Sequence, residues 1–269
     1  MRPAANSAKR ANLTAGLGAQ FSAFGPKRRR LYIRRDLSAK VPAILTQLDQ
    51  MERTAGAGAG NRRSGFALEI PGGPSLFARR ARRGGFMRFI LSDLYAGLHP
   101  RPLRELAVAA EARRRGIAVA EPIGAMIQWV APAVYRGVFL TRLMSGMTLW
   151  EFLCADDDEV VRAHVLAQTR REIDTMHQAG LFHADLNLHN LFITNSGEDF
   201  AAVILDLDKA KLVATPIPAA MRQRNFERLA RSARKLDPHG RILGARALAT
   251  LTGASFNGAS PTRATSSGQ

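Results

Sequence analysis

The sequence predicts an α+β fold in two lobes, a strand-rich one followed by a mainly helical one, and three observations predict it. Short apolar runs broken by glycine and proline fill residues 56–80 and 117–143, as strands and turns do. Helical periodicity governs residues 102–115, 160–178 and 219–235 instead. Between the last two helices lies a polar loop, His183 to Asn190, and two short apolar runs follow it, Leu191-Phe192-Ile193 and Val203-Ile204-Leu205.

Residues 1–40 are expected to form a basic, mobile tail, because their Ala, Ser, Gly and Arg content shows no sustained periodicity. Lys27-Arg28-Arg29-Arg30, with Arg34 and Arg35, make a polybasic patch beside Leu31, Tyr32 and Ile33. Such a patch either rests on anionic lipid, at roughly 1 kcal/mol per basic residue, or is a solvated tail. Residues 41–143 are assigned to the N-terminal lobe. Ile44, Leu45, Leu48 and Met51 predict a short helix over 41–53, and Ala55 to Gly65 a glycine-rich turn. Phe66 to Ile70 and Ser75 to Arg80 then read as a hairpin around Pro71-Gly72-Gly73-Pro74. Leu103, Leu106, Ala107 and Ala110 recur at helical spacing, and Gly116 suits the C-terminal cap. Two or three strands are expected over 117–143, Val138-Phe139-Leu140-Thr141 the clearest.

Residues 144–252 are assigned to the mainly helical lobe. Val161, Val165, Ile173 and Met176 share one face of a helix that Gly180 closes. Asn195-Ser196-Gly197 is a turn signal between the two short strands, and the helix from Ala219 to Lys235 is heavily basic. The Ser/Thr/Gly/Ala-rich residues 253–269 read as a disordered tail.

At 269 residues and 46% hydrophobic content the chain can bury a full core. Its net charge of +17 rests on 33 arginines against 6 lysines, and implies an anionic partner. Aromatic residues, at 7%, are too scarce for a base-stacking surface, so no nucleic-acid partner is expected. Cys154 is the only cysteine, which excludes an intrachain disulfide and suits a reducing cytoplasm. No run of ~18 apolar residues predicts a membrane-spanning helix. The basic N-terminus lacks the apolar stretch of a secretory signal.

Asp185 and Asn190 lie five apart in the polar loop, and Asp206 ends a later apolar run, Ile204-Leu205-Asp206-Leu207-Asp208. That order and spacing resemble those by which protein-kinase-like enzymes place a base, a metal-binding amide and a metal-binding carboxylate around a terminal phosphate. Asp185 is therefore the candidate catalytic base, and Asn190 and Asp206 are candidate ligands for Mg²⁺, which prefers hard oxygen donors. Either aspartate of Asp206-Leu207-Asp208 can serve as ligand, and motif order favours Asp206. His183 is read as a brace for the loop, His189 as a contact to substrate or backbone, and His177 as a core or boundary residue. No zinc site is assigned.

Four stretches extend the likeness: Arg79-Arg80-Ala81-Arg82-Arg83-Gly84-Gly85, Arg101-Pro102-Leu103-Arg104-Glu105, His183 to Asn190 with Ile204 to Asp208, and Asn225-Phe226-Glu227-Arg228-Leu229-Ala230-Arg231-Ser232. Over about residues 56–240 the chain resembles the Kdo/WaaP lipopolysaccharide kinase family, most of all its Kdo kinase branch. The resemblance implies a protein-kinase-like fold and an alcohol-accepting phosphotransferase that uses ATP and Mg²⁺. It implies as acceptor the 4-hydroxyl of a Kdo (3-deoxy-D-manno-octulosonic acid) attached to lipid A. It also implies peripheral attachment to the cytoplasmic side of the bacterial inner membrane. Glu105 would be the helix carboxylate that pairs with a cation above the phosphates. No lysine occurs between Lys40 and Lys209, and the resemblance to the Kdo kinase branch implies Arg79 as the candidate for that cation, with a planar fork instead of a point charge. Gly65 and the turn before it would cover the phosphates with backbone amides. Phe139-Leu140-Thr141 would line the adenine pocket. Two other readings are a kinase-fold enzyme with a different small-molecule or protein acceptor, and a non-catalytic kinase-fold binding protein.

Overall fold

The computed structural model describes residues 17–56, 65–80, 94–196, 199–213 and 215–253. After one helical turn at Leu17–Gln20 the chain runs through β1 (Phe21–Phe24) and β2 (Arg29–Arg34) into helix α1 (Val41–Gly56). Strands β3 (Gly65–Leu68), β4 (Leu76–Arg80) and the short β5 (Tyr95–Ala96) precede helix α2 (Arg101–Arg114). Strands β6 (Pro122–Ala131) and β7 (Val134–Arg142) complete one antiparallel sheet ordered β1-β2-β6-β7-β4-β3, with β5 paired to β7.

The mobile tail expected over 1–40 is corrected in its second half, because Phe21–Phe24 and Arg29–Arg34 are strands of this sheet. Leu31 and Ile33 alternate with Arg30, Tyr32 and Arg34, a period of two that the charge run hides. In register, Leu31 pairs with Met126 and Ile33 with Gly124. Both side chains are buried, each worth about 1.5–3 kcal/mol of transfer free energy. Two arginines of the strand find partners in place of bulk water: Arg29 pairs with Asp49 of α1, and Arg34 with Asp36 and Glu121.

Helix α1 covers one face of the sheet. Ile44, Leu48 and Met51 pack with Leu31, Ile33, Leu76, Ile123 and Leu140. Helix α2 belongs to a larger core that joins the sheet residues Ala125 and Phe139 to the rest of the molecule. That core continues through β8 (Met147–Thr148), α3 (Leu149–Ala155) and α4 (Glu159–Gln178). Thr148 and Glu151 form a reciprocal capping box at the start of α3, and the Asp158 carboxylate accepts from the Val160 and Val161 amides at the start of α4. Gly180 ends that helix region with φ +83°, and a Cβ there would come within 2.7 Å of the Val213 carbonyl.

Strand β9 (Leu181–Phe182) leads into the polar loop, and β10 (Leu191–Ser196) and β11 (Asp199–Ile204) leave it as a hairpin. Strand β12 (Lys211–Leu212) pairs with β9, so the residues after Asp206 are drawn back beside the loop. The Ile204 amide donates to the Ala118 carbonyl at 2.8 Å, which ties this hairpin to the segment after α2. Helix α5 (Ala219–Leu236) and a further helix, α6 (Ala245–Thr252), complete the described chain. Residues 254–269 of the expected C-terminal tail lie outside the described residues. Among the described residues no helix is long and apolar enough to cross a membrane.

Candidate active site

A cleft of about 170 Å³ opens between the large sheet with α2 and the polar loop with its neighbours. Arg79 from β4, Glu105 from α2 and Phe139 from β7 form its roof, and Asp185, Asp206, Asp208 and Lys209 form its floor. Arg79 donates to Glu105 across the roof and reaches Asp206 on the floor at 3.4 Å. One guanidinium thus touches both sides of the cleft, as a planar fork can and a single ammonium does less well. Glu105 is only 4% exposed. Burial, helped by the negative charge of Asp206 and Asp208, pushes its carboxyl up to about 7 against the pull of Arg79. Burial disfavours the charge on Arg79 as well, yet the attraction of Glu105, Asp206 and Asp208 raises its pKa.

The floor is a loop held from within. Leu186, Leu188 and Leu191 are fully buried and pin it to the core. Asn187 and Asn190 both donate their side-chain amides to the Asp185 carbonyl, at 2.9 and 2.8 Å. The Asn187 side-chain oxygen accepts from the His189 and Asn190 backbone amides. Buried His183 donates from Nε2 to the Leu205 carbonyl at 2.8 Å and accepts at Nδ1 from the Asp185 amide at 3.2 Å. Burial lowers its pKa and favours the neutral ring that this pattern requires. Asn225 of α5 donates to the His183 carbonyl at 2.6 Å and meets His177 Nε2 through its own oxygen at 3.1 Å. These bonds consume the backbone of Asp185 and leave its carboxylate to side chains: Arg228 from α5 and, at 3.9 Å, Lys209.

Asp206 adopts a left-handed backbone, φ 56° and ψ 69°, which is costly for a residue with a Cβ. Of the two candidate aspartates, Asp206 is the one beside Arg79, while Asp208 pairs with Arg101 at 3.4 Å and its carbonyl accepts from Arg104. The structure therefore brings Arg79, Glu105, Asp185 and Asp206 around one cleft. Asn190 stands in the same loop with its amide nitrogen donating to the Asp185 carbonyl, and its side-chain oxygen is the atom that could ligate a cation. Gly65 begins β3 directly opposite Arg79 in register, where a Cβ would collide with the Phe77 ring at 2.0 Å. Residues 57–64 of the glycine-rich turn, and 81–85 of the arginine- and glycine-rich stretch, lie outside the described residues. Among the described residues, no three His, Cys, Asp or Glu side chains cluster closely enough to hold a metal by themselves.

Residues 53–246 match the family model described as the lipopolysaccharide kinase (Kdo/WaaP) family. The chain belongs to that family. Like other lipopolysaccharide kinases, it is a phosphotransferase with a hydroxyl group as acceptor. It is 30% identical over 190 residues to the 3-deoxy-D-manno-octulosonic acid kinase of Xylella fastidiosa, a match that covers 69% of this chain and 72% of that one. To the enzyme of the same name from Xanthomonas campestris it is 32% identical over 183 residues, 66% and 68% of the two chains. Among solved structures, WaaP in complex with acyl carrier protein aligns with a TM-score of 0.46 and 15% identity, over 90% of this chain and 83% of that one.

In this lipopolysaccharide kinase, sequence reasoning alone assigns no role to several residues at the cleft. Asn187 ties the loop through three hydrogen bonds, yet it reads as one polar turn residue among several. Arg228 and Lys209 reach Asp185 from α5 and from the short turn after Asp206. Arg228 falls in a family-like stretch, and Lys209 directly follows the Asp206-Leu207-Asp208 run, but neither position in sequence indicates which carboxylate it meets. Tyr95 and Arg101 line the cleft beside Asp208.

Proposed function

We propose that this chain transfers the terminal phosphoryl group of ATP, with Mg²⁺, to the 4-hydroxyl of a Kdo residue on Kdo-lipid A. The observation that carries the reading is the meeting of Arg79, Glu105, Asp185 and Asp206 around one cleft. Phosphoryl transfer needs positioning and charge neutralisation more than covalent help, and these four residue types supply both. Arg79, held by Glu105, would receive the phosphates from the roof. Asp185 would orient the acceptor hydroxyl and take its proton as the oxygen bonds to phosphorus and the bond to ADP breaks. Gly65, opposite Arg79 in register, would lie beside the phosphates that Arg79 receives.

The donor set fits Mg²⁺. The Asp206 carboxylate and the Asn190 side-chain oxygen are hard donors, and two protein donors suffice for an ion that keeps phosphate and water oxygens in its remaining positions. When bound, the ion would neutralise the charge that develops on the transferred group. The relatives named 3-deoxy-D-manno-octulosonic acid kinase support the choice of acceptor. A net charge of +17, with Lys27 and Arg28 exposed, supports a peripheral place on the anionic cytoplasmic face of the inner membrane. Mass spectrometry of Kdo-lipid A after incubation with the protein, ATP and Mg²⁺ tests the reading: one added phosphate is expected on the Kdo. An unmodified glycolipid, from protein that binds the nucleotide, sinks it.

A further inference from the structure

Asp185 stands between two depressions. One is the cleft beneath Arg79 and Glu105, and the other is a groove of about 430 Å³ along α5, with Asp185 the residue common to both. If the first receives the nucleotide, the hydroxyl that attacks must arrive beside Asp185 from elsewhere, and the groove leads there.

Arg228, Arg231 and Lys235 line this groove. They are spaced i, i+3 and i+7 on α5, which sets all three on one face of the helix. Leu229 and Ala233 lie buried on the opposite side of the same helix, with Asn225 tied to the loop at His183. The exposed face is thereby fixed in orientation. A basic helix face is ordinarily just solvated, but two features separate this one. The loop residues Asn187 and His189 close it into a concavity, and its cations exceed the acids available to them. Arg228 is engaged by Asp185, Arg231 reaches Glu227 only at 4.0 Å, and Lys235 has no ion-pair partner among the described residues. His189 and Ser232 add polar groups suited to sugar hydroxyls.

We propose that the groove is the acceptor subsite, in which Arg231 and Lys235 bind an anionic oxygen group of the acceptor, a carboxylate or a phosphate ester. Arg228, already donating to Asp185, lies between that anion and the base, and so sets the distance from the anion to the hydroxyl that is phosphorylated. Guanidinium and ammonium groups facing a concave surface are suited to such oxyanions. The inference rests on the reading of Asp185 as the base of a kinase with an acidic glycolipid acceptor.

Equilibrium binding to the full chain without nucleotide tests it, with three detergent-solubilised probes: Kdo-lipid A, its Kdo methyl ester, and its dephosphorylated form. The wild-type protein is expected to lose about tenfold or more in affinity for one of the two neutralised probes. Loss on esterification assigns the carboxylate, and loss on dephosphorylation assigns the phosphate. A folded Arg231→Gln/Lys235→Gln double variant, checked by its melting temperature, is expected to bind all three probes at the weaker level. Equal affinity of the wild type for the three probes overturns the subsite, and so does a folded double variant that still discriminates. Should the double variant not fold, the wild-type comparison alone decides. These outcomes do not depend on phosphate transfer: discrimination without an added phosphate removes the proposed reaction and keeps the subsite, and transfer without discrimination does the reverse.

Discussion

Arg79 of β4 and Glu105 of α2 form an ion pair across the roof of the cleft, with the carboxylate 4% exposed and the guanidinium also reaching Asp206. The Arg79 fork spans two carboxylates that an ammonium would have to choose between, and on the proposed function Arg79 would take the place of the lysine of protein-kinase-like sites. Arg79→Lys is expected to lower kcat/KM for ATP by about tenfold, equivalent to ~1.4 kcal/mol. Steady-state kinetics on Kdo-lipid A measure it, and an unchanged or improved rate would remove Arg79 from the nucleotide site.

Glu105 makes the stability of the fold depend on pH. Its folded pKa, about 7, is raised above the ordinary 4.5, so between those values the folded chain holds a proton that the unfolded chain has released. The contribution is fully present below about pH 4.5 and is lost as pH rises through 7. Urea unfolding at a series of pH values is expected to show the decline in the wild-type protein and a flatter profile in Glu105→Gln. Parallel profiles for the two proteins would contradict the assignment.

Asp185→Asn keeps the shape of the side chain and removes its capacity to take a proton. Transfer to Kdo-lipid A is expected to fall by at least about 100-fold while the melting temperature stays close to that of the wild type. Turnover near the wild-type level would end the role of Asp185 as base.

Asn225→Ala takes the 2.6 Å donor away from the His183 carbonyl and the acceptor away from His177, in a site where all three groups are buried. A loss of about 1–3 kcal/mol in chemical denaturation is expected, together with a kcat reduced more than the KM for ATP, because the loop and not the roof is disturbed. A variant as stable as the wild type would show that the loop is held by other means.

Leu31→Ala tests whether the basic N-terminal segment belongs to the folded sheet. Leu31 is 2% exposed and faces Ile44 and Leu48 within one core, so a cost of about 2–5 kcal/mol is expected from denaturant unfolding. A cost near zero would return residues 21–34 to the status of a tail.

Much of this architecture can be read along the chain because it depends on local pattern. The helices predicted over 102–115, 160–178 and 219–235 correspond to Arg101–Arg114, Glu159–Gln178 and Ala219–Leu236. Each has an apolar stripe at a spacing of three and four, and such a stripe can be buried only by a helix. The hairpin after the polar loop is legible for a similar reason, since two short apolar runs flank a turn signal. Strand β2 was not legible, because its alternation is carried by only two aliphatic residues within a run of arginines. Helix α6 is not legible either, because eight residues with two leucines make too short an apolar stripe to set a helical period.

What the sequence by itself determined was which groups exist and in what order: a carboxylate, an amide and a second carboxylate at fixed spacing, the first two in a loop anchored by leucines, on a chain rich in arginine. The tertiary structure decided which of these meet. Arg79 and Glu105 are 26 residues apart and Arg228 and Asp185 are 43 apart, and each pair is brought together by packing of a helix against a sheet or a loop. Hydrophobic burial, which is not directional, chooses how those elements pack, and the charged partners follow from that choice, so no local pattern in the chain records them.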